Sequence, residues 1–470
     1  MINSSAIYPQ PPITLPPGPT LPGPLQTARI ILQPIAFLED CARRYGDVFT
    51  LRVLGINSPP VVFVSNPQGI QAIFTTLANR LALGKVTYVF QPLTGSESLI
   101  MQDGKRHHRQ RQLLMPALHG EQLPHYAAMI QEVTRHHLAA WSCGAPVNIR
   151  QAMADISLDI ILRVVFGMAP GHRYHQLKPR LHHLLEYVTS PVYSVQFFLP
   201  LLQRNLGRWS PWGRFQHLLA EIDALIYAEI HDRRGQPQQQ SRVLDLLLTA
   251  RDEAGQPMTD QELRDQLMTL LLLGHETTAS ALTWALYWIH SQPDIRSNLM
   301  AELATVQDGH PIAITNLPYL KAVCAETLRV YPIALIAQPR VAQTPITLTD
   351  YHLPSGTVLV PCIYNAHRRS DIFPCPEEFQ PDRFLNHRFS PYEYLPFGGG
   401  NRSCIGMALS LFEMKLVLAT LMSTYQMAIA PPLDQPHQIR AQRRGITFVP
   451  DSRFQLQVMS QLESDRGHHP

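Results

Sequence analysis

The stretch Phe397-Gly-Gly-Gly-Asn-Arg-Ser-Cys-Ile-Gly406 carries a cysteine at the end of a glycine-rich loop. Gly398, Gly399 and Gly400 let the backbone pass closer to a flat partner than any side chain would permit. Arg402 sets a permanent positive charge two residues before Cys404. After Gly406 the run Met-Ala-Leu-Ser-Leu-Phe-Glu-Met-Lys-Leu-Val-Leu has helical apolar spacing. Cys404 is therefore expected at a helix N-terminus, where free N–H groups and the helix dipole favour a thiolate. Such a thiolate suits a metal that needs a strong electron donor, haem iron being the best-known case. A cysteine after a glycine turn, taken alone, is more simply a buried structural residue.

Working outward, residues 259–291 read as one long helix. Thr259 with Glu262 makes a capping box, and Pro293 ends it. At 1.5 Å per residue it spans about 45–50 Å. Its middle carries Gly274-His-Glu276-Thr277-Thr278, and both Gly and Thr are poor helix formers. Breaking the local rule there points to function. A Thr hydroxyl can bond back to the preceding turn and bend the helix, making room for a small ligand such as O2. Glu276 beside Thr277 is an acid–alcohol pair able to relay protons. A Ser/Thr-rich helix contact is the plainer reading.

Three further groups recur at helical spacing. His107 and Arg111 lie four apart on one face and could hold a carboxylate, although a solvated basic face is commoner. Glu326 and Arg329 lie three apart in a helix that starts at Pro318 and stops at Pro332. Such a pair is usually superficial. Arg383 follows in Pro381-Asp-Arg-Phe384.

The spacing Phe-x-x-Gly-x-Arg-x-Cys-x-Gly, met by Phe397, Gly400, Arg402, Cys404 and Gly406, resembles the haem-binding loop of the cytochrome P450 superfamily. Gly274–Thr278 resembles that family's oxygen-activation motif, with Leu273 where Ala or Gly is usual. The resemblance extends over residues 15–460. It implies a mainly α fold with a small β-rich part, haem b (iron protoporphyrin IX) lying buried between the long helix and the cysteine helix. It makes Cys404 the axial ligand and places Gly274, Phe397 and Gly406 against the haem. It assigns His107, Arg111, Arg340 and Arg402 to the propionates, Glu276 and Thr277 to proton delivery, and Glu326, Arg329 and Arg383 to bracing. Val89, Phe90, Leu93, Leu273, Ile333, Ile336, Ile446 and Thr447 would line the substrate pocket. The implied activity is O2-dependent hydroxylation or epoxidation of a hydrophobic molecule: a fatty acid, alkane or terpenoid. Two electrons would come from a separate donor such as ferredoxin with its reductase. A haem-based sensor, or a peroxide-driven or isomerising relative, would carry the same cysteine.

Composition narrows the remainder. A net charge of +3 over 470 residues gives no sign of a nucleic-acid binder. The six cysteines are scattered, as in a reduced intracellular chain. The first ten residues lack a basic and apolar leader, and no run of about 18 apolar residues occurs. These features lead us to expect a soluble cytoplasmic protein with no transmembrane anchor. Residues 9–24 are proline-rich and read as an extended tail, residues 25–470 as a single domain. No Gly-rich nucleotide fingerprint marks a fused reductase. Residues 81–101 read as irregular loop.

Overall fold

Prolines punctuate the start of the chain, and Pro16 and Pro17 lie along a strand. Thr50 donates its N–H to Pro17 O (2.9 Å) and its hydroxyl to Pro16 O (2.8 Å). The computed structural model describes residues 13–462 apart from 56, 169, 191–192, 194, 198–201, 236–241, 307–309, 432–438, 446 and 452, and the side chains of 85, 86 and 195. A helix, α1 (Gly23–Leu32), already begins inside the expected tail. Pro24 sits in its first turn, where the N–H that proline lacks has no partner in any helix.

The described residues fall into two compact units. The first comprises the chain up to Thr87 with Leu335–Glu377 and Phe389–Ser403. Helix α2 (Pro34–Tyr45) stops at Gly46, whose φ of 85° only glycine adopts readily. Helix α3 (Pro67–Phe74) is capped by the Asn66 side chain, which accepts from Gly69 N–H at 2.6 Å. Its strands are β1 (Val48–Leu51), β2 (Val61–Val64), β3 (Leu81–Leu83), β4 (Arg340–Ala342), β5 (Ile346–Leu348), β6 (Tyr351–Leu353) and β7 (Val358–Pro361). Five form one sheet in the order β1-β2-β7-β4-β3, with β2 and β7 parallel and the other pairs antiparallel. Val62, Val64, Ile70, Ile73, Leu359 and Leu395 make its core.

The second unit, Tyr88–Ala334 with Glu378–Arg388 and the chain from Cys404, is helical. Its main helices are α4 (Gly104–Leu118), α5 (Leu123–Leu138), α6 (Ile149–Phe166), α7 (His172–Thr189), α8 (Pro211–Arg234), α9 (Asp260–Ser291), α10 (Pro318–Val330) and α11 (Met407–Thr424). The expected capping box closes α9: Glu262 N–H donates to Thr259 Oγ1 (3.1 Å) and Thr259 N–H to Glu262 Oε2 (2.8 Å). Helix α9 is buried nearly all round and packs against α6, α10 and α11. That makes it the axle of the unit. A hairpin of β8 (Ala441–Arg444) and β9 (Thr447–Pro450) turns at Gly445. The region 81–101 is more regular than its sequence suggests. It holds β3, a 3-10 segment over Lys85–Phe90 and one α-turn over Gln91–Thr94. Among the described residues one helix, α11, is long and apolar enough to cross a membrane, and 61% of it is buried inside the protein.

Candidate functional site

Cys404 lies three residues ahead of α11, whose N-cap is Gly406. The residue is solvent-exposed. Protein nevertheless surrounds it closely enough that burial pushes the thiol pKa up, against the Gly406 N–H and the Arg111 guanidinium, which pull it down. A residue both exposed and desolvated lies in a concavity rather than on a convex surface. The N-terminal position alone is expected to yield a thiolate, and here burial outweighs it. A bound cation would reverse the balance, because a coordinating thiol is deprotonated outright.

The glycines before the cysteine have a further reason to be glycine within their own unit. A Cβ at Gly399 would stand 2.4 Å from the Phe74 ring. Gly400 has a φ of +65°, and a Cβ there would lie 3.1 Å from the Phe74 carbonyl oxygen. Close passage over Phe74 therefore demands them.

Across α9, Leu270, Leu273, Gly274 and Thr277 remain partly accessible, as does Leu272, while the turns before and after them are buried. The spacing of the first four, by three, four and seven, is one face of a helix, so they form a continuous stripe. Thr277 donates its hydroxyl to Leu273 O (2.6 Å) and Thr278 to Gly274 O (2.9 Å). The back-bonding expected of these threonines is thus present, and α9 remains an unbroken helix. Thr278 Oγ1 also meets Ser410 Oγ of α11 at 3.1 Å, so the two helices touch beside the stripe. Gly274 serves packing as well: a Cβ would approach Ile161 of α6 to 3.1 Å. An apolar stripe, an exposed cysteine with a desolvated thiol and Met407, 41% exposed on the first turn of α11, suit a flat apolar macrocycle with a metal at its centre.

Glu276 points into a charged surrounding. Its carboxylate lies 3.0 Å from Arg444 Nε and 3.7 Å from Arg150 Nη1. The Arg444 Nε–H is not aligned on it, so that contact is one of charge. Burial raises the Glu276 pKa more than both guanidiniums lower it. Its neighbour His275 is 2% exposed, and its Nδ1 has no partner among the described residues.

Glu326 and Arg329 are both fully buried. Arg329 donates from Nε to Oε2 (2.7 Å) and from Nη2 to Oε1 (2.8 Å). Oε1 also accepts from Arg383 Nε (3.0 Å) and Gln380 N–H (2.8 Å), and Arg329 Nη2 donates to Glu378 O (2.9 Å). Elsewhere in this unit His107 is buried and Arg111 half-buried on α4. Leu93 and Ile333 are buried, and Phe90 is half-buried. Val89 lines an open groove of about 480 Å³ with Tyr88, Pro92, Phe197 and Gln203. Thr447 is buried with its hydroxyl on Arg444 O (2.9 Å), committed to its own turn. Ile446 lies outside the described residues. In the first unit, Arg340 is buried, its Nη1 on Gln338 O (3.1 Å). Ile336, Phe397 and Arg402 of that unit are partly exposed.

The residues that sequence reasoning missed are those around Glu276. Arg150 and Arg444 stand far from it in the chain, and no local spacing signals their meeting. Glu413 of α11 was missed too. It is fully buried, accepts from Ser157 Oγ at 2.7 Å, and has its pKa raised to about 8 by burial.

Comparison with known proteins agrees with this arrangement. The family model described as Cytochrome P450 matches residues 16–458. The chain is 35% identical over 416 residues to cytochrome P450 135B1 of Mycobacterium bovis, covering 88% of this chain and 86% of that one. It is 35% identical over 449 residues to cytochrome P450 135A1 of Mycobacterium tuberculosis, covering 95% and 96%. In fold it is similar to retinoic acid-bound cyanobacterial CYP120A1, with a TM-score of 0.82 at 24% identity, covering 96% of this chain and all of that one. The cytochrome P450DA heme domain follows with a TM-score of 0.80 at 22% identity, covering 96% and 99%. A family match over nearly the whole length, joined to a cysteine loop, a long helix and a buried Glu-x-x-Arg brace, means that this chain belongs to the cytochrome P450 family of monooxygenases.

Proposed function

We propose that the chain binds haem b with Cys404 as axial thiolate and inserts one atom of O2 into an apolar substrate, hydroxylating or epoxidising it. The observation that carries this reading is the exposed Cys404 with its thiol in a desolvated setting, beside a helix contact flanked by a half-exposed apolar stripe. When bound, a thiolate-ligated haem supplies O2 activation, the thiolate pushing electron density toward O–O cleavage. The chain's own residues supply position and protons. His107, Arg111, Arg340 and Arg402 hold the propionates as cationic or hydrogen-bonding partners of carboxylates. Phe397, Gly274 and Gly406 would contact the macrocycle. Glu276 takes up a proton and passes it to the Thr277 hydroxyl. Its raised pKa supports the exchange, since a carboxyl nearer neutrality both gains and loses a proton readily.

The pocket residues Val89, Phe90, Leu93, Leu273, Ile333, Ile336 and Ile446 are apolar, with Thr447 beside them. They favour a fatty acid, alkane or terpenoid. Residues 25–470 act as one catalytic domain, and no nucleotide-binding fingerprint occurs among the 470 residues. In this reading the two electrons come from a separate carrier. Lys105, Arg106 and His108 are exposed on α4, a basic face that favours an acidic donor such as ferredoxin. The test is the absorption spectrum of the reduced protein with carbon monoxide. A strongly red-shifted Soret band in the wild type that is absent in Cys404→Ser is expected. An unchanged band in the variant refutes thiolate ligation by Cys404.

A further inference from the structure

Monooxygenation consumes O2, two electrons and two protons for each oxygen atom inserted, releasing water. The protons must reach a site whose walls are apolar. On the side of α9 that carries Glu276, α6, α7 and β8 bring together a polar seam running from half-exposed to buried positions. Asp155 of α6 lies 3.3 Å from His182 Nε2 of α7 and accepts from Gln151 Nε2 at 3.0 Å. Gln151 Oε1 accepts from Arg150 Nη2 at 3.2 Å, and Arg150 Nη1 lies 3.7 Å from Glu276. Arg444 of β8 meets the same carboxylate oxygen at 3.0 Å. Side-chain exposure falls along the seam, from 33% at Asp155 and 31% at His182 to 9% at Glu276.

The charges facing Glu276 are Arg150 and Arg444, with His275, His182, Asp155 and Glu186 around them. The two arginines are permanently charged and cannot accept a proton. They hold the carboxylate in place and offset the burial that opposes its ionisation. Histidine is the side chain whose ordinary titration spans neutrality, and His182 is the one in the seam that reaches solvent. His275, desolvated by burial and lying near Arg444 and Arg150, has its pKa pushed down to about 3 and so stays neutral. A neutral imidazole has one N–H and one free nitrogen, so it can accept at one and release at the other. Its Nδ1 is buried and has no partner among the described residues. A polar atom so placed calls for a bridging water.

We propose that protons enter this monooxygenase through the α6/α7 side of α9, with His182 as the outer donor oriented by Asp155 and His275 as the buried intermediary to Glu276. This rests on the reading of Glu276 and Thr277 as the proton relay. His182 imidazolium gives up its Nε2 or Nδ1 proton inward and regains one from solvent. His275 takes a proton on its free nitrogen and releases one from the other. Glu276 carboxylate becomes carboxylic acid and returns to carboxylate when Thr277 is served. Asp155, Arg150 and Arg444 act as positioning residues.

The experiment compares haem-loaded wild type, Glu276→Gln, His182→Ala and His275→Asn. It measures product formed per O2 consumed from pH 6 to 9. The Glu276 carboxyl stretch, assigned by its loss in Glu276→Gln, is titrated by infrared difference spectroscopy in the same proteins. We expect His182→Ala to lower coupled turnover by about tenfold on the alkaline side, since positioned general acids contribute factors of this size and more. We expect proton exchange at the Glu276 carboxyl to slow in His182→Ala and His275→Asn, with substrate-induced spin-state changes retained. Wild-type coupling and exchange in both histidine variants, with Glu276→Gln uncoupled, overturns the entry route and leaves the Glu276 relay standing. Wild-type coupling in Glu276→Gln overturns the relay and the route with it.

Discussion

Replacing Glu326 by leucine is the most demanding test of the brace on which the second unit depends. The carboxylate is 0% exposed and serves four donors: Arg329 Nε and Nη2, Arg383 Nε and the Gln380 N–H. Leucine matches the volume and accepts nothing. Arg329, itself fully buried, would retain Glu378 O. Breaking a buried ion pair by removing one partner costs about 3–5 kcal/mol. Stranding the Gln380 N–H adds about 1–3 kcal/mol. The sum of roughly 4–8 kcal/mol is comparable with the whole stability of many domains, about 5–15 kcal/mol. The assay is urea unfolding followed by tryptophan fluorescence. Trp284 and Trp288 report on this region, since Trp284 stacks on Tyr331, just beyond α10, at 3.8 Å. The decisive comparison is Glu326→Leu with Arg329→Met in the same chain. Removing both charges should cost less than Glu326→Leu alone by about 2 kcal/mol or more, because the uncompensated buried cation has gone. A cost for Glu326→Leu below about 1 kcal/mol, or simple additivity of the two changes, would refute the reasoning.

Three other perturbations separate local causes. Glu413 holds its proton in the folded state up to about pH 8, against about 4.5 ordinarily. The folded protein therefore binds more protons than the unfolded chain between those values, and stability should fall as pH rises through them. Urea midpoints at pH 5, 7 and 8.5 should show this slope, and Glu413→Gln should flatten it. Thr259→Ala removes one half of the α9 capping box and should cost about 1 kcal/mol in the same unfolding assay. The two glycines over Phe74 should differ in how they are rescued. Gly399→Ala meets the Phe74 ring at an extended φ of −162° and should be relieved by Phe74→Leu. Gly400→Ala forces φ +65° and should cost about 1–2 kcal/mol whatever residue stands at 74, read as a shift in melting temperature.

What could be read from the sequence shares one property: it depends on residues close together in the chain. The capping box of α9, the Pro318 start of α10 and the Cys404 loop all lie within a few residues. Glu326 and Arg329 were legible as a pair for the same reason, whereas spacing alone makes such a pair superficial and only the structure shows it fully buried. The same local logic misled at α1. Pro22 and Pro24 read as breakers, although a proline in the first turn of a helix forfeits no hydrogen bond. The glycines before Cys404 were read for what they might approach, and Phe74, distant in sequence, supplies a nearer reason.

The surroundings of Glu276 show why chemistry is harder to read than fold. Sequence identifies an acid beside an alcohol on a long helix, and that juxtaposition alone does not say in which state the acid rests. Its state depends on opposed influences set by tertiary structure. Burial between α6, α7 and β8 favours the neutral acid, and Arg150 and Arg444 favour the carboxylate. Burial outweighs the two cations, so the group moves toward neutrality without losing its partners. Removing Arg444 would push it further that way, and opening the seam to water would push it back. A relay acid must be able to do both within a turnover, and a buried carboxyl held by two cations is placed to do so.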